Sequence, residues 1–438
     1  MKNNAKRAYV HHEPSEILAS LFGLKDVRVL SISRVEEIVE VWIENDIDRV
    51  DCCQCGKKAQ LKDRPVVTYV DLPCFGEPAR VVWRKHRFRC VNPHCVVRSW
   101  VHGDHRIAAK ECQLTTRAAK WVTTQVGPGR TVSEVANELR CDWDAVNNAV
   151  MKYGAALLDA DRKRLNKTTA IGLDETSFVK RDNHAHKNYL TTVADVEHRQ
   201  IIDILPTRNY LDVAAWIDKQ PKAWKRRIRF GALDMSNTYA AVYSVILPKA
   251  KQVVDPFHLV QLANRALDDV RRRVQHETLG HRGRKDDPLY RARRVLLTGE
   301  EKLKPQAAQR LQSLLELGDP NGEVAIAYRV KERLRDFYTA TDFQSAREML
   351  EELACHCIKV AMPPEIQKLG RTLKKWFEKI CNFHIARVSN GPTEALNNLI
   401  KRIKRIGFGF RNFENYRIRA LLYAGKPNWR VLGSIVVT

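Results

Sequence analysis

Three short apolar runs in this chain close on an aspartate. Ala170-Ile171-Gly172-Leu173 runs into Asp174, Ile228-Arg229-Phe230-Gly231-Ala232-Leu233 into Asp234, and Val253-Val254 into Asp255. Runs of this kind read as buried strands, and in an open α/β sheet ligands bind at the carboxyl ends of the strands. Carboxylates gathered there make a hard, all-oxygen site suited to Mg²⁺, with Mn²⁺ as a substitute. A later acid, Glu394 in Ser389-Asn390-Gly391-Pro392-Thr393-Glu394, reads as the first turn of a helix because proline suits that position. Alone it would be explained by the helix dipole; beside two strand-end aspartates it reads as a metal ligand. Asn397, Asn398 and Lys401 share its helix face and are candidates to support it or to contact phosphate.

A second metal is suggested by sulfur. Cys52 and Cys55 have the C-x2-C spacing, and Cys90 and Cys95 form a C-x4-C partner. Four thiolates satisfy tetrahedral Zn²⁺, and a closed structural site contributes folding energy that a small β-rich module cannot draw from its own core. Cys53, Cys74 and His94 are substitute ligands, the two cysteines reading better as spare or packed thiols. Cys355, His356 and Cys357 follow the period of a helix face and its neighbour and read as core. Lys57, Lys58, Lys62, Arg64, Arg80, Arg84, Lys85, Arg87 and Arg89 crowd around the cysteines, a density that favours phosphate contact.

These groups need elements to position them. A short helix is expected over Ser15 to Leu24, then two strands, Val27 to Ile32 and Glu37 to Glu44, whose alternation is that of a half-exposed antiparallel pair. Helical spacing begins at Thr116 and stops at Gly127-Pro128-Gly129. Thr131-Val132-Ser133-Glu134 has the capping-box form, and a third helix starts at Trp143. Helix, tight turn and helix could place Asn147, Asn148 and Lys152 on an outward face against DNA, although a plain helical hairpin explains the same pattern. From Ala170 the order is strand, strand, strand, helix, strand, helix, strand, helix. A meander followed by two crossovers is the order of a ribonuclease H-like sheet, whose first strand lies beside its fourth. That would join Asp174 to Asp234 across 60 positions (234 − 174). Asp195 and Glu197 read as hairpin residues. Helical spacing then fills Leu289 to Thr298, Gln306 to Leu317, Val324 to Tyr338, Phe343 to Lys359 and Pro364 to Ile380. Trp376 and Phe377 could stack on an extruded base, although packing is the commoner fate of such a pair. The tail from Lys401 to Arg419 interleaves Lys401, Arg402, Lys404, Arg405, Arg411, Arg417 and Arg419 with Phe408, Phe410, Phe413 and Tyr416, a mixture suited to nucleic acid.

The chain has 438 residues and a formal net charge of +24, with apolar and charged residues interspersed. That excess favours a polyanionic partner, nucleic acid ahead of a membrane. No run reaches spanning length, the start lacks a secretory pattern, and no G-x-x-x-x-G-K motif points to ATP. The 11 cysteines suit a reducing compartment, so a cytoplasmic, nucleoid-associated protein is expected.

Gly172-Leu173-Asp174-Glu175, Ala232-Leu233-Asp234-Met235, Leu247-Pro248-Lys249-Ala250 with Val254-Asp255-Pro256-Phe257-His258, and Ser389 through Glu394 to Arg405 followed by Gly407-Phe408-Gly409-Phe410-Arg411-Asn412-Phe413 together resemble the ISL-three family of bacterial insertion-sequence transposases. The resemblance spans nearly the whole chain. It implies a DDE triad of Asp174, Asp234 and Glu394; Asp255 is outside the triad, with Pro256 where the family more often has arginine. It implies two-metal cleavage and strand transfer of double-stranded DNA at terminal inverted repeats and target, by a homodimer or larger synaptic complex. The expected architecture is a multidomain α+β chain. An N-terminal zinc-binding module would occupy 1–105 and a helix-turn-helix 106–160. A ribonuclease H-like α/β catalytic core would occupy 168–280, interrupted by an all-α insertion over 281–385 and completed by 386–438 with the basic tail. DNA contacts are expected at Asn147, Asn148, Lys152, Lys401, Arg402, Lys404 and Arg405. The competing readings are a catalytically inactive DNA-binding regulator and a nuclease without strand transfer.

Overall fold

The computed structural model describes residues 23–437, apart from 25, 48, 166 and 179–188; the helix expected over Ser15 to Leu24 lies almost wholly outside them. The chain forms two compact units, one of residues up to Arg164 together with Lys401–Thr438, the other of Leu165–Ile400.

In the first unit the expected antiparallel pair is β1 (Val27–Val35) and β2 (Ile38–Asn45). Then come β3 (Ala59–Asp63), β4 (Val66–Cys74), β5 (Glu77–Arg84), β6 (Arg87–Cys90) and β7 (Ser99–Val101). They divide into a four-stranded sheet, β1-β2-β5-β4, and a small antiparallel one, β3-β6-β7. Glu44, 1% exposed, joins the two. It takes Arg64 Nε at 2.8 Å, His86 Nε2 at 3.1 Å and the Arg84 guanidinium, the pairing that a buried carboxylate requires.

Three helices follow: α1 (Thr116–Val126), α2 (Val132–Glu138) and α3 (Trp143–Ala160). The expected capping box is formed, Glu134 N–H donating to the Thr131 hydroxyl and Thr131 N–H to the Glu134 carboxylate. Thr131→Ala should lower stability by about 1 kcal/mol, read as a drop in thermal midpoint that Thr131→Ser avoids. Val122, Val135, Leu139, Val146, Val150 and Leu157 make the helical core, which Ile418 and Leu422 complete.

The second unit is built on β8 (Ala170–Ser177), β9 (Tyr189–Asp195) and β10 (Gln200–Leu205), followed by α4 (Tyr210–Asp218), α5 (Lys222–Arg227), β11 (Phe230–Leu233), α6 (Asn237–Ile246), β12 (Lys251–Val254) and α7 (Pro256–Leu279). The sheet order is β10-β9-β8-β11-β12. β8 is antiparallel to β9 and parallel to β11, so the first strand does lie beside the fourth. Asp195 serves its hairpin, accepting from Glu197 N–H, His198 N–H and, at 3.0 Å, facing His198 Nδ1.

Helices α8 (Pro288–Ala292), α9 (Pro305–Gly318), α10 (Glu323–Phe337), α11 (Phe343–Cys357), α12 (Pro364–Cys381) and α13 (Phe383–Ala386) fill the long interval before α14 (Gly391–Ile406) and α15 (Phe413–Ala424). The helix expected over Leu289 to Thr298 stops after Ala292. Arg293 turns its guanidinium onto the Tyr290 carbonyl at 2.6 Å, and the buried Lys331 Nζ takes the Leu296 and Thr298 carbonyls at 2.7 and 2.9 Å. Side-chain donors replace the backbone donors that a continuing helix would use. Leu334, Phe337, Leu350, Leu369 and Trp376 belong to one apolar core with Leu173, Val193 and Leu233 of the sheet. Trp376 therefore packs, as expected. Cys357 is buried, but Cys355 is exposed rather than core, because the two residues point to different sides of α11.

Candidate active site

Strand register brings the three aspartates together. Leu173 pairs with Leu233, and Leu233 with Val254. Asp174, Asp234 and Asp255 are therefore each the next residue along three adjacent strands; Asp234 and Asp255 follow the ends of β11 and β12, whereas β8 does not end at Asp174 as expected but runs on to Ser177, because β9 pairs with it that far.

Each is held differently. Asn397 Nδ2 donates to Asp174 Oδ2 at 2.5 Å, and the Thr176 and Thr192 hydroxyls lie 3.1 and 3.0 Å from Asn397 Oδ1, which fixes the amide's orientation. Asn390 Nδ2 donates to Asp234 Oδ1 at 2.9 Å, while His258 Nε2 stands 3.0 Å from Asp234 Oδ2. Asp255, 2% exposed, caps α7 by accepting from the Phe257 and His258 N–H groups, and accepts the Asn390 N–H as well. It thus ties the start of one helix to the turn that introduces Glu394. Asn397 lies on the predicted face of α14. The roles of Asn390 and His258 went unread in the sequence, although both stand in the motifs that carried the resemblance.

Gly172 lets that turn approach the sheet. A Cβ there would meet the Thr393 hydroxyl, Asn390 Oδ1 at 2.6 Å and Val196 at 2.8 Å. The Asn390 Oδ1 and Thr393 Oγ1 atoms are buried without hydrogen-bond partners.

Burial, then the nearby charge of Asp234, pushes the Asp174 carboxyl up to about 6. Asp234 is also raised, chiefly by burial and further by Asp255 and Glu394, against the opposing pull of Asn390 and His258. Crowded carboxylates whose negative charge is penalised are what a bound cation relieves. The oxygens of Asp174, Asp234 and Glu394 do not all lie within 4.8 Å of one another, so they are not one tight single-ion cage. Glu394 is exposed on the first turn of α14.

The cysteines do form a tight cluster. The sulfurs of Cys52, Cys55, Cys90 and Cys95 all lie within 4.8 Å of one another, with Cys52 to Cys95 at 3.8 Å and Cys55 to Cys90 at 3.5 Å. Four sulfurs about 2.3 Å from one tetrahedral ion stand about 3.8 Å apart, so the set has the dimensions of a zinc site. Backbone N–H groups of Cys55 and Gln54 hold the Cys52 thiol down to about 6, whereas burial among the other sulfurs pushes Cys90 up to about 12. Cys53 and Cys74 are exposed and outside the cluster.

The expected DNA contacts are placed unevenly. Asn148 is exposed, but Asn147 is buried at 6% exposure, contrary to its expected outward position. Lys152 Nζ donates to the Lys110 and Glu111 carbonyls at 2.8 and 3.2 Å. Lys401, Arg402 and Arg405 are exposed; Lys404 is half-buried 5.1 Å from the Tyr416 ring, and its amine is pulled down to about 8 by burial and by Lys401. Of the basic residues around the cysteines, Arg64 and Arg84 are engaged by Glu44, Arg80 by the Leu139 and Arg140 carbonyls, Lys85 by the Tyr69 hydroxyl, Arg87 by Asp63 and the exposed Arg89 by Gln60, while Lys57, Lys58 and Lys62 are exposed.

A family profile for DDE transposases of the ISL3 type, described as "Transposase", matches residues 171–420, more than half of the chain, a span that includes Asp174, Asp234 and Asp255. The chain belongs to this family. This ISL3-type transposase is 26% identical over 386 residues to the transposase for insertion sequence element IS1001 of Bordetella parapertussis, covering 84% of this chain and 88% of that one. It is 24% identical over 394 residues to the transposase for IS1557 of Mycobacterium tuberculosis, covering 82% of each. A local match, 36% identical over 98 residues, is to an ATP-dependent protease of Lactococcus lactis; it covers 22% of the transposase and 27% of that protein. Among the described residues no helix is long and apolar enough to cross a membrane.

Proposed function

We propose that this transposase binds the terminal inverted repeats of an insertion sequence and cleaves and joins DNA there, with Asp174, Asp234 and Glu394 holding divalent metal. The observation that carries the reading is the register of β8, β11 and β12, which sets Asp174 and Asp234 side by side, each oriented by an asparagine from the segment that carries Glu394. The carboxyl ends of these strands are the expected ligand crevice of such a sheet, and the strand order supports a ribonuclease H-like core.

The residues present fit Mg²⁺ or Mn²⁺: the donors are all carboxylate oxygen, and two of them are penalised for their charge. Bound there, the ions supply Lewis-acid stabilisation to the attacking and leaving oxygens of an in-line phosphoryl displacement. The protein's own part is orientation. Asn397 fixes Asp174, Asn390 and His258 fix Asp234 from two sides, and Asp255 secures the turn before Glu394.

The rest of the chain serves DNA in this reading. The cysteine cluster holds structural Zn²⁺ in a module spanning 1–105. Helices of 106–160 form the helix-turn-helix, with Asn148 rather than the buried Asn147 free to face a groove. Segments 168–280 and 386–438 supply the catalytic core and basic tail, and 281–385 an all-α insertion. Two element ends must be held at once, so the working form is a homodimer or larger synaptic complex.

The test is incubation with Mg²⁺ and DNA bearing the inverted repeats that flank the gene, beside Asp234→Ala. Nicking and joining at those ends, lost in the variant, is the expected result. Specific binding without cleavage in Mg²⁺ or Mn²⁺ would instead identify a regulator, and cleavage that never yields joined product a nuclease. Gly172→Ala should fold yet cleave roughly 100-fold more slowly, the cost of displacing a reacting constellation by about 1 Å. Unchanged single-turnover cleavage would show that the approach of Asn390 and Thr393 to β8 has no part in catalysis.

A further inference from the structure

Within the first unit, a cavity of about 380 Å³ opens between the start of α3 and the segment that follows α14, inside the roughly 300–1,000 Å³ range of small-molecule sites. Its walls carry aromatic faces, amides and two guanidiniums: Trp143 and Asn147 from α3, Phe408, Phe410 and the exposed Arg411 from the loop, and the buried Arg419 from α15.

Arg419 is the unusual member. It is 3% exposed, yet its Nε and Nη2 donors have no hydrogen-bond partner. A buried guanidinium with open donors is costly unless something supplies acceptors. The Phe410 ring lies 6.0 Å from the guanidinium carbon. Burial pulls the group down to about 10, which leaves it a cation at neutral pH. Nε and Nη2 form one edge of the guanidinium fork, and that edge matches two adjacent acceptors. Such a pair occurs on the O6/N7 edge of guanine and on a phosphate.

The surroundings favour the base. Trp143 is 46% exposed and Phe408 96% exposed. Phe408 holds φ +49 beside Gly409 at φ +97, a left-handed pair that turns the ring outward instead of into a core. Exposed aromatic faces beside a buried fork suit stacking on a π-face together with edge recognition.

We propose that this cavity receives a single unstacked base of the DNA, gripped on its acceptor edge by Arg419 and stacked against the Phe408 and Phe410 side. The inference rests on the transposase reading for its source of DNA and adds a nucleotide site remote in sequence from the Asp174 strand. It also gives a use to the exposed Phe408, for which the fold itself supplies no packing.

The test uses the full chain and two sets of DNA: duplexes from the element's ends, with a fluorescent guanine analogue at each guanine in turn, and short single strands, whose bases are already unstacked. Wild type should brighten the analogue at one position of the duplex. Arg419→Met and Phe408→Ala should each weaken binding roughly 10- to 100-fold, the worth of one stacked and edge-bonded base. Removing the base at that position should abolish the difference between wild type and Arg419→Met, while a neutral methylphosphonate linkage there should preserve it. The reverse pattern would assign Arg419 to phosphate and overturn the proposal, as would equal binding by wild type and both variants. Arg419→Met should keep or raise the thermal midpoint, because it replaces an open buried charge with an apolar chain; a large fall would assign Arg419 to the fold and overturn the proposal too. Failure to bind the element's ends, with Arg419-dependent single-strand binding intact, would refute end recognition and leave the base site standing.

Discussion

Asp234→Asn is expected to abolish DNA cleavage and, in the same preparation freed of divalent metal, to raise thermal stability at neutral pH. The loss should exceed about a thousandfold, on the order of 4 kcal/mol of transition-state stabilisation, with affinity for the element's ends within a few fold of wild type. The gain in stability follows from the same geometry. Asp234 is held above its ordinary range by burial first, with Asp255 and Glu394 adding to it, and its neighbour Asp174 is pushed from 3.8 up to about 6. A carboxyl with a raised folded-state value binds its proton more tightly in the native state than in the unfolded chain. Stability contributed by such a proton is present in acid and is lost as pH rises through the raised value, for Asp174 from about 4 through 6. At neutral pH the metal-free wild type therefore bears the cost of both charges, and the substitution removes one. The amide introduced by Asp234→Asn can accept from Asn390 Nδ2 and donate to His258 Nε2, so neither partner is left open. Calorimetry in EDTA should show the variant melting higher at neutral pH, by roughly 2–4 °C for each kcal/mol relieved, with the gap closing as the pH is lowered and Asp234 takes up its proton. Mg²⁺ should raise the wild-type midpoint more than the variant's. A variant that melts lower than wild type in EDTA at neutral pH would mean that Asp234 is a structural acid, and the metal assignment would fall with it.

The positions of those aspartates were legible because they depend on short-range grammar. Apolar runs ending in Asp give strands, and strand order gives neighbours, so the pairing of Asp174 with Asp234 follows from the order of the elements alone. Asn397 was legible for a related reason: it lies three positions beyond Glu394, and helical spacing alone puts the two on one face. What failed depends on distant segments. Asn147 reads as outward if α3 has a single covered face, but Gly154 of the same helix lies so close to Leu422 and Ile418 that an added Cβ would stand 2.9 and 3.1 Å from them. A segment more than 260 positions later thus covers a second side, and the helical period carries no trace of it. His258 and Asn390 were missed in the same way. Each reaches Asp234 only because Asp255 caps α7 and accepts the Asn390 N–H, bonds between residues far apart in sequence. The early end of α8 is also non-local, since the lysine that takes its trailing carbonyls belongs to α10.

Cys95→Ser, or exhaustive chelation, is expected to unfold the β3-β6-β7 sheet and with it to remove binding to the element's ends. The strands of that sheet are five, four and three residues long, and of their side chains only Ala59 and Phe88 are buried apolar groups. Burying two such side chains yields a few kcal/mol at most, about 25 cal/mol per Å² of apolar surface, against roughly 1–2 kcal/mol of backbone entropy for each ordered residue. The sheet cannot close that gap by itself. A structural zinc ion is worth about 10–16 kcal/mol in small modules, and the four sulfurs already stand at the spacing such an ion requires. The purified transposase should therefore release one zinc per chain on thiol modification, and Cys95→Ser should bind none. Loss of the sheet should release Arg64 and His86, which stand next to β3 and β6, from Glu44 of β2, a carboxylate 1% exposed that keeps only Arg84 of β5, so the damage should spread to β1-β2-β5-β4 as an early unfolding transition. Arg64→Ala alone leaves His86 and Arg84 on Glu44 and should not reproduce it. Cys53→Ser and Cys74→Ser change exposed thiols outside the cluster and should keep both zinc and DNA affinity. Metal retained in Cys95→Ser, or lost in Cys53→Ser, would show that the ligand set is not the one drawn by the sulfur distances.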